Sequence, residues 1–222
     1  MTTLILALHG TRRASGTAFA ERLRRAVSVR LPRVDVQLGF VDIHDERLAD
    51  VVRQTASSVI VPVFLAAGYH VAHDVAQAVA GSGGRAVATD HVGPELTAAI
   101  AERLQQAGGP GEAVVLAAIG SRRAGAQAEV RATARRLSGQ LGRPVQPGFI
   151  FASEPSLADA VASLRARGHR DITVATHAIL PGLYQLHIAE LGLPASEPIG
   201  LHPLLLDAIT TRYLAATSVQ AA

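Results

Sequence analysis

The chain repeats itself, and that repeat limits its fold more than any other feature. LILALHGTRR at 4–13 returns as VVLAAIGSRR at 114–123, and LGFVDIHDERLADVV at 38–52 returns as PGFIFASEPSLADAV at 147–161. SVIVPVFLAAGYHVAHDV at 58–75 is echoed by DITVATHAILPGLYQLHI at 171–188, and the helical pattern at 95–107 by that at 203–216. A period of roughly 110 residues is too long for a solenoid unit and implies two similar domains. Gly108-Gly109-Pro110-Gly111 is the clearest linker. It divides the chain into an expected N-terminal domain at 1–108 and a C-terminal domain, a degenerate repeat, at 112–222.

Each half alternates short apolar runs with helical patterns. Residues 4–8 read as a buried strand, and Ser15 or Thr17 is placed to cap a helix running to about Arg30, with Phe19, Leu23, Val27 and Leu31 at helical spacing. Residues 34–41 alternate as a strand does and end at Asp42, and 48–56 form a short helix. VIVPVFLAAGYHVAHD at 59–74 begins as a third buried strand. Gly68 breaks it, and Tyr69, His70, His73 and Asp74 follow where a helix begins. A short strand at 85–89 and a helix at 95–107 complete the half. This order gives an α/β fold with two tandem domains, each a small parallel sheet flanked by helices.

The repeat supplies an internal control. His9 faces Ile119, Asp42 faces Phe151 and His70 faces Tyr184, while the Gly, Arg-Arg and Leu-Ala-Asp positions are kept. A copy that keeps its framework and drops three titratable groups points to one active site, in the first half. Ligands of parallel α/β sheets bind outside the carboxyl ends of the strands, and His9, Asp42 and His70 all follow strands at that edge. Two imidazoles and a carboxylate suit a divalent ion such as Fe(II), Co(II), Ni(II) or Zn(II), and they also suit proton abstraction near neutral pH. Taken singly, each histidine has the ordinary alternative of a hydrogen-bonded structural role.

Composition narrows the chemistry. Cys is absent from the 222 residues, which removes thiolate metal sites, iron–sulfur clusters and cysteine nucleophiles together. Aromatic residues make up 4% and Trp is absent, so a base-stacking surface is poorly supplied and no nucleic-acid partner is expected. All 21 basic residues are Arg, a residue suited to bidentate recognition of carboxylate or phosphate. Arg12 and Arg13, repeated as Arg122 and Arg123, either hold ligand carboxylates or serve as solvated arginines opening a helix. Gly10 and Gly120 are expected to permit tight strand-to-helix turns. His73 is repeated as His187, which fits a capping or packing role common to both halves at least as well as catalysis. His44, His91, His169 and His202 read as solvent-facing, and His177 lies at a second-half strand end, where facing an interdomain cleft is the lesser of its readings. No apolar run reaches the ~20 residues of a membrane span, and the N-terminus has no basic region before its short apolar run. We expect a cytoplasmic protein without a membrane partner. A G-x-S-x-G elbow, a Walker A sequence and a G-x-G-x-x-G after a strand are all missing.

LHGTRR at the first strand end, FVD at the second and VPVFLAAGYHVAHDV at the third resemble the sirohydrochlorin chelatases. These are class II tetrapyrrole chelatases, and the chain is similar to their long, two-domain form over nearly its whole length. The resemblance implies that His9 and His70 are catalytic and handle the metal. Asp42 joins them as a ligand where the family usually has Glu, one methylene longer. It implies a divalent metal, Fe(II) or Co(II), as substrate, no organic cofactor, and a macrocycle with eight carboxylates. Arg12, Arg13, Gly68, Tyr69, Arg122 and Arg123 are the residues expected to bind that ring. A fused chain of this form is expected to work as a monomer with its two domains in place of a dimer. Other readings stay open on sequence grounds: a chelatase for a different tetrapyrrole or metal, a non-catalytic carrier of metal or tetrapyrrole, and a metal-dependent hydrolase lacking any nucleophile pattern.

Overall fold

A computed structural model describes residues 2–10, 13–42, 47–69 and 71–220 of the chain. His70, Arg12 and His44 lie outside the described residues. The chain packs as two compact units, Met1–Gly93 with Leu201–Ala222, and Pro94–Gly200.

In the first unit, β1 (Thr3–Leu8), β2 (Val36–Phe40), β3 (Ser58–Pro62) and β4 (Ala86–Ala88) form one sheet in the order β2-β1-β3-β4. All its pairings are parallel, with Leu4 opposite Val36 and Val59. Residues 4 to 8 of β1 are at most 1% exposed, because helices cover both faces of a parallel sheet. Successive side chains alternate between those faces. Ile5 and Ala7 join Ile60 against α2 (Leu48–Gln54) and α3 (Ala76–Ala80), with Leu48, Val52 and Ala78 filling the layer. On the opposite face lies α1 (Ala14–Arg30), which buries Gly16, Phe19, Ala20, Leu23 and Val27. Arg13 occupies its N-cap without a side-chain cap bond, so neither Ser15 nor Thr17 caps it.

The second unit repeats the plan with β5 (Ala113–Ala118), β6 (Val145–Phe149) and β7 (Ile172–His177) in the order β6-β5-β7, again parallel. Its α5 (Ala124–Leu141) buries Ala126, Val130, Thr133, Ala134 and Leu137. Four of these follow the burial of Gly16, Ala20, Leu23 and Val27 in α1. The inner layer is formed by Val115, Ala117 and Val174 with α6 (Leu157–Ala166) and α7 (Tyr184–Ala189). The place of β4 is taken by a single parallel bridge from Val174 to Ala195.

The units do not follow the repeat. The helix that closes the first repeat, α4 (Thr97–Gln106), belongs to the second unit and packs on β7 and α5. The helix that closes the second repeat, α8 (Pro203–Gln220), belongs to the first unit and packs on β3 and α1. In α8, Leu205, Ala208, Ile209 and Tyr213 are buried, and the Tyr213 hydroxyl donates to the Thr2 carbonyl at 2.6 Å. Leu205 and Ile209 are wholly buried, which is worth about 1.5–3 kcal/mol each. The break expected at 108–112 therefore marks the repeat and not the border between compact units.

Candidate functional site

Strand register fixes which loops meet. β1 lies between β2 and β3, and all three run the same way. The ladder continues past the strand ends through Val41 N to Leu8 O at 3.0 Å and Val63 N to Ala7 O at 2.9 Å. The segments that follow, bearing His9, Asp42 and residues 63–69, thus leave one sheet edge side by side.

His9 is exposed, and its Nδ1 lies 3.0 Å from the Gly10 carbonyl oxygen. A carbonyl can only accept, so Nδ1 carries the proton in this contact. This arrangement is common for metal-ligating histidines, whose other ring N–H is held by an outer acceptor. Asp42 is half-buried and lines a cavity of about 380 Å³ within the first unit. Phe40, Arg47, Arg53, Asp74 and Gln77 line it too, so two carboxylates and two guanidiniums share its wall. His9 is not part of that lining.

Tyr69 is 55% exposed and stacks on His73, with ring centroids 4.9 Å apart. From Val71 to Val75 the chain winds as a π-helix before α3 begins. Turns of this kind are rare and occur often at functional sites. A Cβ at Gly68 would meet nothing within 4 Å, so the glycine is not required by crowding. Among the described residues no group of three His, Asp or Glu side chains is placed to hold a metal ion. His70, the third residue of the expected set, lies outside them, as does Arg12. Arg13 is exposed.

Two histidines depart from expectation. His91 is 9% exposed, its Nδ1 lying 3.2 Å from both Gly93 N and the Phe64 carbonyl oxygen, and His202 is 5% exposed, its Nδ1 accepting from Leu204 N. Both brace turns at element junctions, a role that their spacing to glycine and proline conceals in the sequence. His177 is also buried.

In the second unit Ser58 of the first finds its counterpart in Ile172, since Thr3 pairs with Ser58 as Ala113 pairs with Ile172. Counted along the sequence from that register, His70 corresponds to Tyr184 and His73 to His187. Tyr184 is buried and donates from its hydroxyl to the Leu180 carbonyl at 2.6 Å. Burial, and to a lesser degree the charge of Glu197, pushes that hydroxyl above the ordinary tyrosine range. It stays neutral and cannot serve as a base. Arg122 and Arg123 are exposed at the start of α5.

Among the described residues no helix is long and apolar enough to cross a membrane. No curated protein matches the sequence significantly. The fold is that of several solved structures. SirB from Bacillus subtilis with Fe3+ is 19% identical, with a TM-score of 0.81 over 100% of this chain and 97% of that one. SirB from Bacillus subtilis subspecies spizizenii in complex with cobalt is 16% identical, with a TM-score of 0.76 over 98% and 96%. CbiX, described as the terminal enzyme for biosynthesis of siroheme in denitrifying bacteria, is 22% identical, with a TM-score of 0.71 over 97% and 99%. The CbiX family model matches twice, at residues 3–107 and again at 113–216, and with both repeats matched the chain belongs to the CbiX family.

Proposed function

We propose that the chain is a sirohydrochlorin chelatase that inserts Fe(II) or Co(II) into the ring, with His9, Asp42 and His70 of the first repeat handling the metal. The observation that carries this reading is the placement of His9 and Asp42 at the ends of neighbouring parallel strands, at positions where the second repeat has Ile119 and Phe151. Membership of the CbiX family supports it.

The chemistry needs little else. The divalent ion leaves its protein ligands and water for four ring nitrogens, and two pyrrole N–H protons depart, so the ring gains the metal and loses two protons. His9 is proposed to hold the ion or accept a proton through its imidazole. Neutral imidazole with carboxylate binds Fe(II) and Co(II) alike, and few protein ligands leave coordination positions open for transfer, as at other catalytic metal sites. Each chain supplies both repeats, so we propose that it acts as a monomer. The exposed Arg13, Arg122 and Arg123 are proposed to meet the ring's carboxylates, together with Arg12, and Gly68 and Tyr69 to border the ring.

The test is anaerobic absorbance of sirohydrochlorin mixed with Fe(II) or Co(II), with and without protein. Wild type should accelerate insertion of one or both metals, and His9→Ala and His70→Ala should fall close to the uncatalysed rate. Ring binding with insertion at the uncatalysed rate would make the protein a carrier. Unchanged insertion in both variants would remove the metal site from this edge.

A further inference from the structure

The segment that leaves β3 towards Gly68 and Tyr69 is held from both sides. On one side it is bound to β1, through Val63 N to Ala7 O at 2.9 Å. On the other run residues 89–93, which continue past β4: Thr89 N donates to Ile60 O at 3.0 Å and Val92 N to Pro62 O at 3.3 Å. Gly93 closes against Leu65, where a Cβ would lie 2.0 Å from the Leu65 carbonyl oxygen, so only glycine fits. His91 joins the two segments. Its Nδ1 lies 3.2 Å from both the Phe64 carbonyl oxygen and Gly93 N. With a proton Nδ1 donates to the carbonyl, and without one it accepts from the amide, so the buried ring is engaged in either tautomer.

Residues 89–93 are in turn clasped by α8. Arg212 donates from Nε to the Asp90 carbonyl at 2.9 Å and from Nη2 to the His91 carbonyl at 2.8 Å. Bonds from a guanidinium are stronger than those between neutral groups. A residue of the second repeat therefore holds the segment that backs Phe64 and Leu65 in the first. The second unit offers an internal comparison. There Arg103 of α4 donates from Nε and Nη2 to the Ile199 carbonyl at 3.0 and 2.7 Å. Ala178 and Ile179 stand to Ile172 as Phe64 and Leu65 stand to Ser58. Their carbonyls are met by backbone amides, Ile199 N to Ala178 O at 2.9 Å and Gly200 N to Ile179 O at 2.8 Å. The arginine clasp is common to both copies. The imidazole on Phe64 belongs to the copy that carries His9 and Asp42.

We propose that His91 is a positioning residue for the metal-handling edge, fixing the Phe64–Tyr69 segment that His70 follows in the chain, and that Arg212 holds His91 in place. The inference rests on the reading of His9 and His70 as metal-handling residues. Phe64 and Leu65 are where residues 89–93 grip this segment, and beyond them it turns on local bonds such as Gly68 N to Ala66 O at 2.9 Å. Site residues carried on a loop keep their geometry to within about 0.5 Å only when a supporting shell fixes them. A backbone amide covers the carbonyl of Ala178, so covering a carbonyl at this place does not of itself call for a buried histidine. The imidazole ties the start of the loop to residues 89–93, and α8 anchors those residues in turn.

The test uses the full-length protein, titrated with Co(II) alone and followed by visible absorbance, together with kcat and KM for insertion into sirohydrochlorin. His91→Ala should raise the Co(II) Kd about tenfold or more, the scale on which outer-shell partners act, and lower kcat with KM for the ring little changed. His91→Asn, whose amide can replace Nδ1 as donor or acceptor, should return both to within about threefold of wild type. Arg212→Gln, which removes the charged fork, should raise the Co(II) Kd about threefold or more. Arg103→Ala breaks the matching clasp of the second unit; it should lower the thermal melt and leave Co(II) Kd and kcat as in wild type. An unchanged Co(II) Kd in folded His91→Ala would overturn the proposal, as would equal losses in Arg103→Ala or a wild type that binds no Co(II). If His91→Ala does not fold, Arg212→Gln carries the test, and an unchanged Co(II) Kd there would overturn the proposal. Failure of the chelatase reading looks different: Co(II) binding responds to the variants as stated, while wild type leaves insertion at the uncatalysed rate.

Discussion

The carboxyl edges of the two sheets are built alike and furnished oppositely. Each has a central strand whose end leads into an arginine pair and a long helix, a neighbour that ends two residues before Asp42 or Phe151, and a third strand followed by a glycine and a helix start. The first edge carries His9, Asp42 and Tyr69 there, and the second carries Ile119, Phe151 and Leu183. Both keep a histidine against the exposed ring, His73 on Tyr69 and His187 on Phe151. The helix starts differ as well: π-wound at Val71–Val75, and α-helical at Tyr184–Ala189 with Tyr184 in the core. We propose that duplication of one scaffold lets one copy hold chemistry while the other keeps only the framework. The framework needs only its buried strands and glycines, and these are what both copies retain.

If that division holds, substitutions at the two edges should fail in different ways. The largest effect is expected from His9→Ala, which should lower kcat for metal insertion about 100-fold, the scale of losing a positioned proton-transfer group. Phe151→Ser should leave kcat near that of wild type. A His9→Ala variant whose defect lay wholly in KM would break the comparison. Next, Gly120→Ala should cost about 2 kcal/mol or more in urea unfolding, because its φ of +100 and the 1.8 Å approach to Phe151 O leave no room for a Cβ. Gly68→Ala, with nothing within 4 Å, should stay within about 0.5 kcal/mol of wild type.

Smaller effects sharpen the contrast. Tyr184→Phe removes the bond to Leu180 O and should cost about 1 kcal/mol. Because the folded hydroxyl titrates above its ordinary value of 10.0, its contribution should be constant from pH 5 to 9. It should fall only as pH climbs past about 10, where the unfolded state ionises first. A Tyr184→Phe difference that changed near neutral pH would contradict a neutral, buried group. Smallest is Glu21 of α1, which the Arg24 hydrogen bond, aided by Arg25, holds at about 2. Its stabilisation should be present above the usual carboxylate range and be lost as pH falls from about 4.5 towards 2. Glu21→Gln should cost about 0.3–0.5 kcal/mol, as for other exposed helix pairs. The corresponding position of α5 has Arg131 over the Phe149 ring at 5.6 Å, so no acid-dependent loss is expected from that helix position.

Much of this was readable from the chain. Apolar runs such as LILAL and VVLAA specify strands because nothing polar interrupts them, and the loop residues His9 and Asp42 follow at their ends. The exchange of α4 and α8 was not readable. The apolar stripe of α4, and the apolar residues spread around α8, state that each helix covers a sheet without stating which one. The linker at 108–111 is flexible in composition, and it marks the duplication regardless of where the preceding helix docks. The helix cap at Ser15 or Thr17 failed for a related reason: a hydroxyl near a helix start is common, and here Arg13 already stands at the N-cap. The exposed side chains of Ile119 and Phe151 were visible only as loss, since a sequence comparison registers that a titratable group is gone and cannot register that its replacement stays exposed.

The central claim, one metal-handling site per chain and in the first repeat, is tested most directly by Co(II) titration of the ring-free protein, followed by its visible absorbance. Wild type is compared with a variant carrying the second repeat's residues, His9→Ile with Asp42→Phe. We predict one Co(II) per wild-type chain and none in the variant at matched concentrations. Two equivalent ions per chain, or a single ion that the variant still binds, would contradict it.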